Sequence, residues 1–139
     1  MKFWDTSAII PLLIPEAKSS QSVQLIQKDP EMIVWSLTVT EVHSALHRKI
    51  RLGQLKAEDL SVLKGRLDIY QQSWTEIFQI EAVRARAIRL LNAHPLRAAD
   101  SLQLAAALVV FEENPEGHEF VCFDDGLSDA ARREGFITP

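Results

Sequence analysis

Short runs of apolar residues alternate along this chain with longer segments in which apolar residues recur every three or four positions. The short runs predict buried strands at residues 2–4, 32–35, 73–78 and 120–123. The longer segments predict helices, which we place up to about residue 28 and at 39–50, 57–70, 81–93, 96–111 and 127–134. Strands that alternate with helices, without hairpin signals between them, predict an α/β fold with a mostly parallel central sheet. We expect one domain that spans residues 1–139, with residues 136–137 adding a short terminal strand.

The same spacing predicts which side chains face the core. In the segment 81–93, four apolar residues are expected to point inward: Ala82, Ala85, Ile88 and Leu91. In the third strand, Trp74 and Phe78 are expected to supply the bulk. The segment 96–111 is apolar on nearly every side, so we expect this helix to lie in the interior against the sheet.

Composition narrows the class of protein without deciding its function. Hydrophobic residues make up 47% of the chain and charged residues 24%, which is typical of a soluble globular domain. Asp5 interrupts the first apolar stretch, so no signal peptide is expected, and the apolar run from Leu104 to Phe111 is too short to span a bilayer. The single cysteine, Cys122, is interpreted as a core side chain in a reducing compartment, and we expect a cytoplasmic protein with no membrane partner.

Four acidic residues occupy corresponding positions in the predicted elements. Asp5 and Asp124 each follow a buried strand, and Glu41 lies in the first turn of the helix after another strand. Asp100 stands near the start of the apolar helix, where an unpaired buried carboxylate would be costly without a cation, hydrogen bonds or water. Because parallel strands end at the same edge of a sheet, where α/β proteins place their ligands, we expect the four carboxylates to meet there.

Each acidic residue also has a purely structural interpretation. Asp5 can cap the first helix, and Asp100 can complement a helix dipole. The remaining alternatives are a capping box formed by Thr38 and Glu41, and a cap on the last helix from Asp124 or Asp125. Taken together, these interpretations do not predict that the four residues converge on one edge.

The residue types indicate the chemistry of such a cluster. Carboxylates without His or Cys favour Mg²⁺ or Mn²⁺ over a structural zinc ion. A hard cation held in this way suits phosphodiester hydrolysis, since it activates water and offsets charge on the transition state. His43 and His47 lie four residues apart but lack a third ligand, so we interpret them as a solvated face. The basic residues 48, 49 and 51 either contact RNA phosphates or form a solvated helix end, and the net charge of −4 argues only against binding through bulk positive charge.

Two other α/β classes with an acidic residue after the first strand fit this sequence poorly. A phosphatase of the haloacid-dehalogenase kind needs a second Asp two positions after the first, where this chain has Ser7. A receiver-like phosphoacceptor domain needs paired acids after the first strand and a lysine near the last strand, and no lysine follows Lys64.

Four segments in order resemble a bacterial or archaeal PIN domain and, more narrowly, the VapC toxins of type II toxin–antitoxin systems. They are Asp5-Thr6-Ser7-Ala8, Thr40-Glu41-Val42, Leu96-Arg97-Ala98-Ala99-Asp100-Ser101, and Phe123-Asp124 followed by residues 130–135. The resemblance runs essentially from end to end of the chain. It implies a three-layer α/β/α sandwich and an endoribonuclease that depends on Mg²⁺ or Mn²⁺.

The resemblance also implies a set of site residues and partners. Asp5, Glu41 and Asp100 would be the main metal ligands, and Asp124 would complete the acidic quartet directly or through water. Ser7, with Thr6 as a second candidate, would orient a ligand or water through its hydroxyl. The implied partners are an RNA substrate, a cognate antitoxin and a second copy in a homodimer; the alternative is a catalytically silent scaffold that binds RNA or a protein. Because Asp125 stands where the family often has a neutral or basic residue, the fourth acid remains open between positions 124 and 125.

Overall fold

Four short strands form the central sheet in the computed structural model, which describes residues 1–139. The strands are Lys2–Trp4 (β1), Met32–Trp35 (β2), Thr75–Ile77 (β3) and Phe120–Val121 (β4). Their order in the sheet is β3-β2-β1-β4, and every pairing is parallel. The predicted α/β class with a parallel sheet is therefore confirmed.

Seven helices cover the two faces of this sheet. They are Thr6–Leu13 (α1), Ser19–Lys28 (α2), Thr38–Arg51 (α3), Leu60–Gln71 (α4), Ile80–Ala93 (α5), Ala98–Val110 (α6) and Asp125–Glu134 (α7). A short 3₁₀ turn, Ala57–Asp59, precedes α4. None of the helices combines the length and the apolar character that crossing a membrane would require.

The alternation of side chains along each strand produces two separate cores. Phe3 and Trp4 are consecutive in β1 and fully buried, yet Phe3 packs in the core that contains α5, α6 and α7, while Trp4 packs in the core that contains α1, α3 and α4. Because successive strand residues point to opposite faces, a sheet whose residues are buried on both sides must be covered on both sides. The three-layer sandwich is the result.

The order of the strands creates a crevice beside the end of β1. The chain moves from β1 to β2 to β3 in one direction, then returns past β1 to place β4 on its other side. Such a reversal of strand order opens a space at the carboxyl ends of the two diverging strands, here β1 and β4. The Asp5 backbone N–H donates to the Val121 carbonyl oxygen at 2.9 Å, which fixes these two strand ends side by side.

Two sequence-based predictions about inward faces are wrong. In α5, the buried residues are Val83, Ala87 and Leu90, whereas Ile88 is 64% and Leu91 43% exposed. At about 100° per residue, the buried residues lie within about 60° of one another, whereas the predicted residues, each three apart, drift through about 180° around the helix and do not form one face. At the third strand, Ile77 provides the buried bulk together with Trp74, which precedes β3, while Phe78 lies just after the strand and is 63% exposed.

The last strand is also shorter than predicted, because a side chain ends it. The predicted strand reached residue 123, but β4 stops at Val121. The Phe123 backbone N–H donates to the Ser7 hydroxyl oxygen at 2.9 Å instead of joining the sheet. The terminal segment pairs with the chain before β4 through a single parallel bridge between Glu119 and Ile137.

Candidate active site

Asp5 lies at the carboxyl end of β1 and is also the N-cap of α1. Its Oδ2 atom accepts hydrogen bonds from the Ser7 backbone N–H at 2.9 Å and from the Ser7 hydroxyl at 2.6 Å. The residue is only 5% exposed, and this burial raises the pKa of the carboxyl above its usual value although both bonds from Ser7 oppose the shift. The capping interpretation is thus correct, but it does not account for burying a charge at a strand end.

Glu41 extends from the first turn of α3 and is held by two other helices. Its Oε2 atom accepts from the Thr6 hydroxyl at 3.0 Å, and its Oε1 atom accepts from the Gln103 side-chain amide at 3.3 Å. Burial, followed by repulsion from the nearby Asp5, raises the pKa of Glu41 to about 7. Since these surroundings disfavour the ionised carboxylate, a cation beside it would offset part of that cost.

The capping-box interpretation of Thr38 and Glu41 is wrong. The N-cap of α3 is Leu37, which offers no side-chain cap, and the Glu41 backbone N–H donates to the Leu37 carbonyl. Thr38 is fully buried, and its hydroxyl accepts from the Gln103 amide at 3.0 Å. The Glu41 side chain is therefore directed toward Thr6 and Gln103 rather than back to its own helix end.

Asp100 and Asp124 are carried by the starts of two other helices, α6 and α7. Asp100 is half-buried in the first turn of α6, and its pKa is raised by burial and then by the negative charges of Asp124 and Asp5, against an opposing effect of Arg97. Asp124 is the N-cap of α7, where its Oδ1 atom accepts from the Leu127 backbone N–H at 2.8 Å. The repulsion among these carboxyls shows that they share one electrostatic environment.

One open cavity of about 980 Å³ contains the predicted site residues. Its wall includes all of them: Asp5, Thr6, Ser7, Glu41, Asp100 and Asp124. Asp125 is absent from this wall and lines a neighbouring pocket of about 170 Å³. Of the two adjacent acids that the sequence left open, the structure places Asp124 at the cavity.

Basic side chains line the same cavity as the acids. They are Lys18, Arg48, Lys49 and Arg97. Arg48 and Lys49 belong to the cluster whose role the sequence left open, whereas Lys18 and Arg97 were missed. Arg97 stands three residues before Asp100, a separation that already signals proximity at a helix start, but nothing local in the sequence ties Lys18 to the site. His43 and His47 do not line the cavity, in keeping with the solvated face predicted for them.

Ser7 and Cys122 both contact the Asp5 carboxylate. The Cys122 sulfur lies 3.5 Å from the Ser7 hydroxyl oxygen and 3.6 Å from Asp5 Oδ2. Burial, with a further contribution from the Asp5 charge, raises the pKa of the thiol to about 12. Because only the thiolate is a good nucleophile or metal ligand, Cys122 acts here as a packed neutral group.

The oxygen ligands in this cavity are of the type that a hard divalent cation prefers, but they are not arranged as a complete metal site. The acids facing the cavity offer only oxygen, which Mg²⁺ and Mn²⁺ prefer. Burial is the main cause of the raised pKa values of Asp5, Glu41 and Asp100, and for Glu41 and Asp100 neighbouring carboxylates add to it, so a cation would offset negative charge here. No three His, Cys, Asp or Glu side chains, however, form a group that could hold a metal ion in the conformation observed. Shared binding of one ion would require side-chain rotation within the cavity.

The sequence matches a known protein family. The family model described as PIN domain matches residues 2–133, which is nearly the whole chain. No curated protein matches the sequence.

Proposed function

The chain belongs to the PIN domain family, whose members are generally nucleases that depend on divalent metal, and we propose that it is a Mg²⁺- or Mn²⁺-dependent endoribonuclease. The observation that supports this most is the cavity itself. Carboxylates carried by four separate elements line it together with four basic side chains. A domain that only bound RNA would gain nothing from concentrating negative charge where phosphate approaches.

In this proposal, Asp5, Glu41, Asp100 and Asp124 hold the ion. The bound cation would lower the pKa of a coordinated water and offset charge that develops on the phosphate. Neighbouring hydroxyl groups orient two of these carboxylates. Ser7 fixes the orientation of Asp5 through two hydrogen bonds, and the Thr6 hydroxyl fixes one oxygen of Glu41.

The basic residues of the cavity would receive the phosphates that flank the scissile bond. Lys18, Arg48 and Arg97 offer positive charge beside the acids, which compensates locally for the net charge of −4. Phosphate contacts of this kind position a nucleic acid without reading its sequence. Such contacts do not distinguish RNA from DNA, and RNA is proposed as the substrate because of the resemblance of the four sequence segments to VapC toxins.

Cleavage of a labelled RNA by the purified protein tests the proposal. We expect cleavage with Mn²⁺ or Mg²⁺, none with EDTA, and none from Asp5→Asn or Asp100→Asn proteins that remain folded by circular dichroism. Asp125→Asn is the matched control, since it removes a neighbouring exposed carboxylate that lies outside the cavity. Parental rates in Asp100→Asn would refute the assignment, and metal-independent retention of uncleaved RNA would support the silent-scaffold alternative.

We further propose that this nuclease is the toxin of a type II toxin–antitoxin pair, acting in the cytoplasm, inhibited by a cognate antitoxin and assembled as a homodimer. The support is the resemblance of the four sequence segments to VapC toxins. Induced expression without a partner should arrest bacterial growth, and Asp100→Asn should relieve the arrest. Harmless expression of a folded protein that cleaves RNA in vitro would contradict the toxin role, and light scattering that gives the mass of one chain would contradict the dimer.

A further inference from the structure

We propose that Gln103 is a positioning residue, whose side-chain amide holds the Glu41 carboxylate in place for metal binding. This inference rests on the proposed function, because it concerns the same cavity. Gln103 does not itself line the cavity and would not touch a substrate. It would act only through Glu41 and the residues around it.

Gln103 is a fully buried polar residue in an otherwise apolar stretch of α6. It lies three residues after Asp100 and is followed by Leu104 and three alanines that are also fully buried. Its Nε2 atom lies 3.0 Å from the Thr38 hydroxyl, 3.3 Å from Glu41 Oε1 and 3.4 Å from the Thr6 hydroxyl. One amide thus connects α6, which carries Asp100, to α3, which carries Glu41.

The orientation of this amide follows from the chemistry of its neighbours. Glu41 must be ionised to bind a cation, and an ionised carboxylate can only accept hydrogen bonds, so in that form the Gln103 group facing Glu41 is the NH₂ group. The amide oxygen then points elsewhere, and this buried Oε1 atom has no hydrogen-bond partner. A buried polar atom without a partner lowers stability, whereas the bond from the NH₂ group to the buried Thr38 hydroxyl raises it, so Gln103 has opposing effects on the fold. Packing alone does not explain the amide, because only its NH₂ group is used and that group also faces Glu41.

The two oxygens of Glu41 are fixed by donors from different helices. Thr6 on α1 donates to Oε2, and Gln103 on α6 donates to Oε1. Each oxygen keeps further acceptor capacity, so both bonds can persist while a cation binds. Groups that orient a metal-binding carboxylate in this way commonly contribute to affinity although they do not touch the ion.

Direct Mn²⁺ binding by calorimetry, measured beside RNA cleavage and thermal unfolding, tests this role. In Gln103→Leu and in Gln103→Met we expect Mn²⁺ affinity to fall about 10–100-fold. We expect cleavage to fall with it, while the unfolding temperature without metal reports the separate loss of the bond to the buried Thr38 hydroxyl. Ser22→Ala is the control, because Ser22 is also fully buried but donates to the Ala8 carbonyl, away from the acids.

The possible results separate this inference from the proposed function. If both Gln103 variants bind Mn²⁺ and cleave RNA as the parental protein does, the positioning role is wrong and the nuclease remains. If both variants instead unfold at a lower temperature and bind Mn²⁺ normally, the amide serves the fold and the inference is again wrong. If the parental protein binds no Mn²⁺ and cleaves no RNA, both proposals fail together.

Discussion

Replacing Glu41 with glutamine should stabilise the metal-free protein at high pH, even though it removes a proposed metal ligand. The pKa of Glu41 is raised from 4.5 to about 7 in the folded protein, mainly by burial and then by repulsion from Asp5. Between these two values, the folded protein keeps a proton that the unfolded chain loses. Stability is therefore lost as the pH rises through this window, and the penalty is present in full above about pH 7.

The size of the effect follows from the shift. At about 1.4 kcal/mol per pKa unit, the change from 4.5 to about 7 corresponds to about 3 kcal/mol. Because Glu41 is only partly buried and faces an open cavity, solvent screening reduces this to about 2 kcal/mol. Glu41→Gln removes the penalty, so its stability relative to the parental protein should rise by about 2 kcal/mol between about pH 4.5 and pH 8.

Urea unfolding in EDTA, at several pH values across this window, measures the difference. Any change that the substitution makes to the hydrogen bonds with Thr6 and Gln103 is common to all pH values and cancels when they are compared. Glu58→Gln is a suitable control, since the Glu58 side chain is 76% exposed. The free energy of unfolding of Glu41→Gln could instead differ from the parental value by the same amount at every pH. That result would refute the claim that its surroundings destabilise an ionised Glu41.

Three other predictions concern the same cavity. Ser7→Ala removes the donor to Asp5 and the acceptor for the Phe123 N–H, so the free energy of unfolding, measured with urea, should fall by about 1–2 kcal/mol and cleavage should be reduced. Unchanged values for both would contradict the role of the hydroxyl. Lys18→Ala should raise KM for RNA without changing kcat, and it should reduce the slope of log Kd against log salt concentration by about 1. Lys56 is exposed and lies outside the cavity, so an equal effect from Lys56→Ala would show that only overall charge matters. Addition of Mn²⁺ should raise the unfolding temperature of the parental protein but much less that of Asp100→Asn, and equal shifts would place the ion elsewhere.

Features set by local sequence could be predicted well. The apolar runs at residues 2–4 and 32–35 are strands because their residues are buried on both faces, which a continuous apolar pattern signals. The placement of Asp5 and Asp124 followed from the same pattern, since each lies between an apolar run and the helix that follows it. From there, the general rule on strand ends in a parallel sheet was enough to bring both acids to one crevice.

Features set by tertiary contact could not be predicted in this way. The inward face of α5 is the stripe Val83, Ala87 and Leu90 that packs against α6, whereas the predicted residues, each three apart, drift around the helix. The Thr38 and Glu41 pair matched a capping box, but the hydrogen bonds offered by Thr6 and Gln103 draw these side chains into the interior. The only feature of the sequence that could have indicated a role for Gln103 is its polar side chain within an apolar helix.

The most direct test of the central claim is the position of Mn²⁺ in crystals grown with the ion, located by its anomalous scattering. The account predicts a peak inside the acidic cavity, within about 2.0–2.6 Å of carboxylate oxygens from at least three of Asp5, Glu41, Asp100 and Asp124. Rotation of the other acids toward the ion should accompany it, with Glu41 still bonded to Thr6 and Gln103. An empty cavity at a saturating Mn²⁺ concentration, or a peak bound only by other residues, would contradict the account.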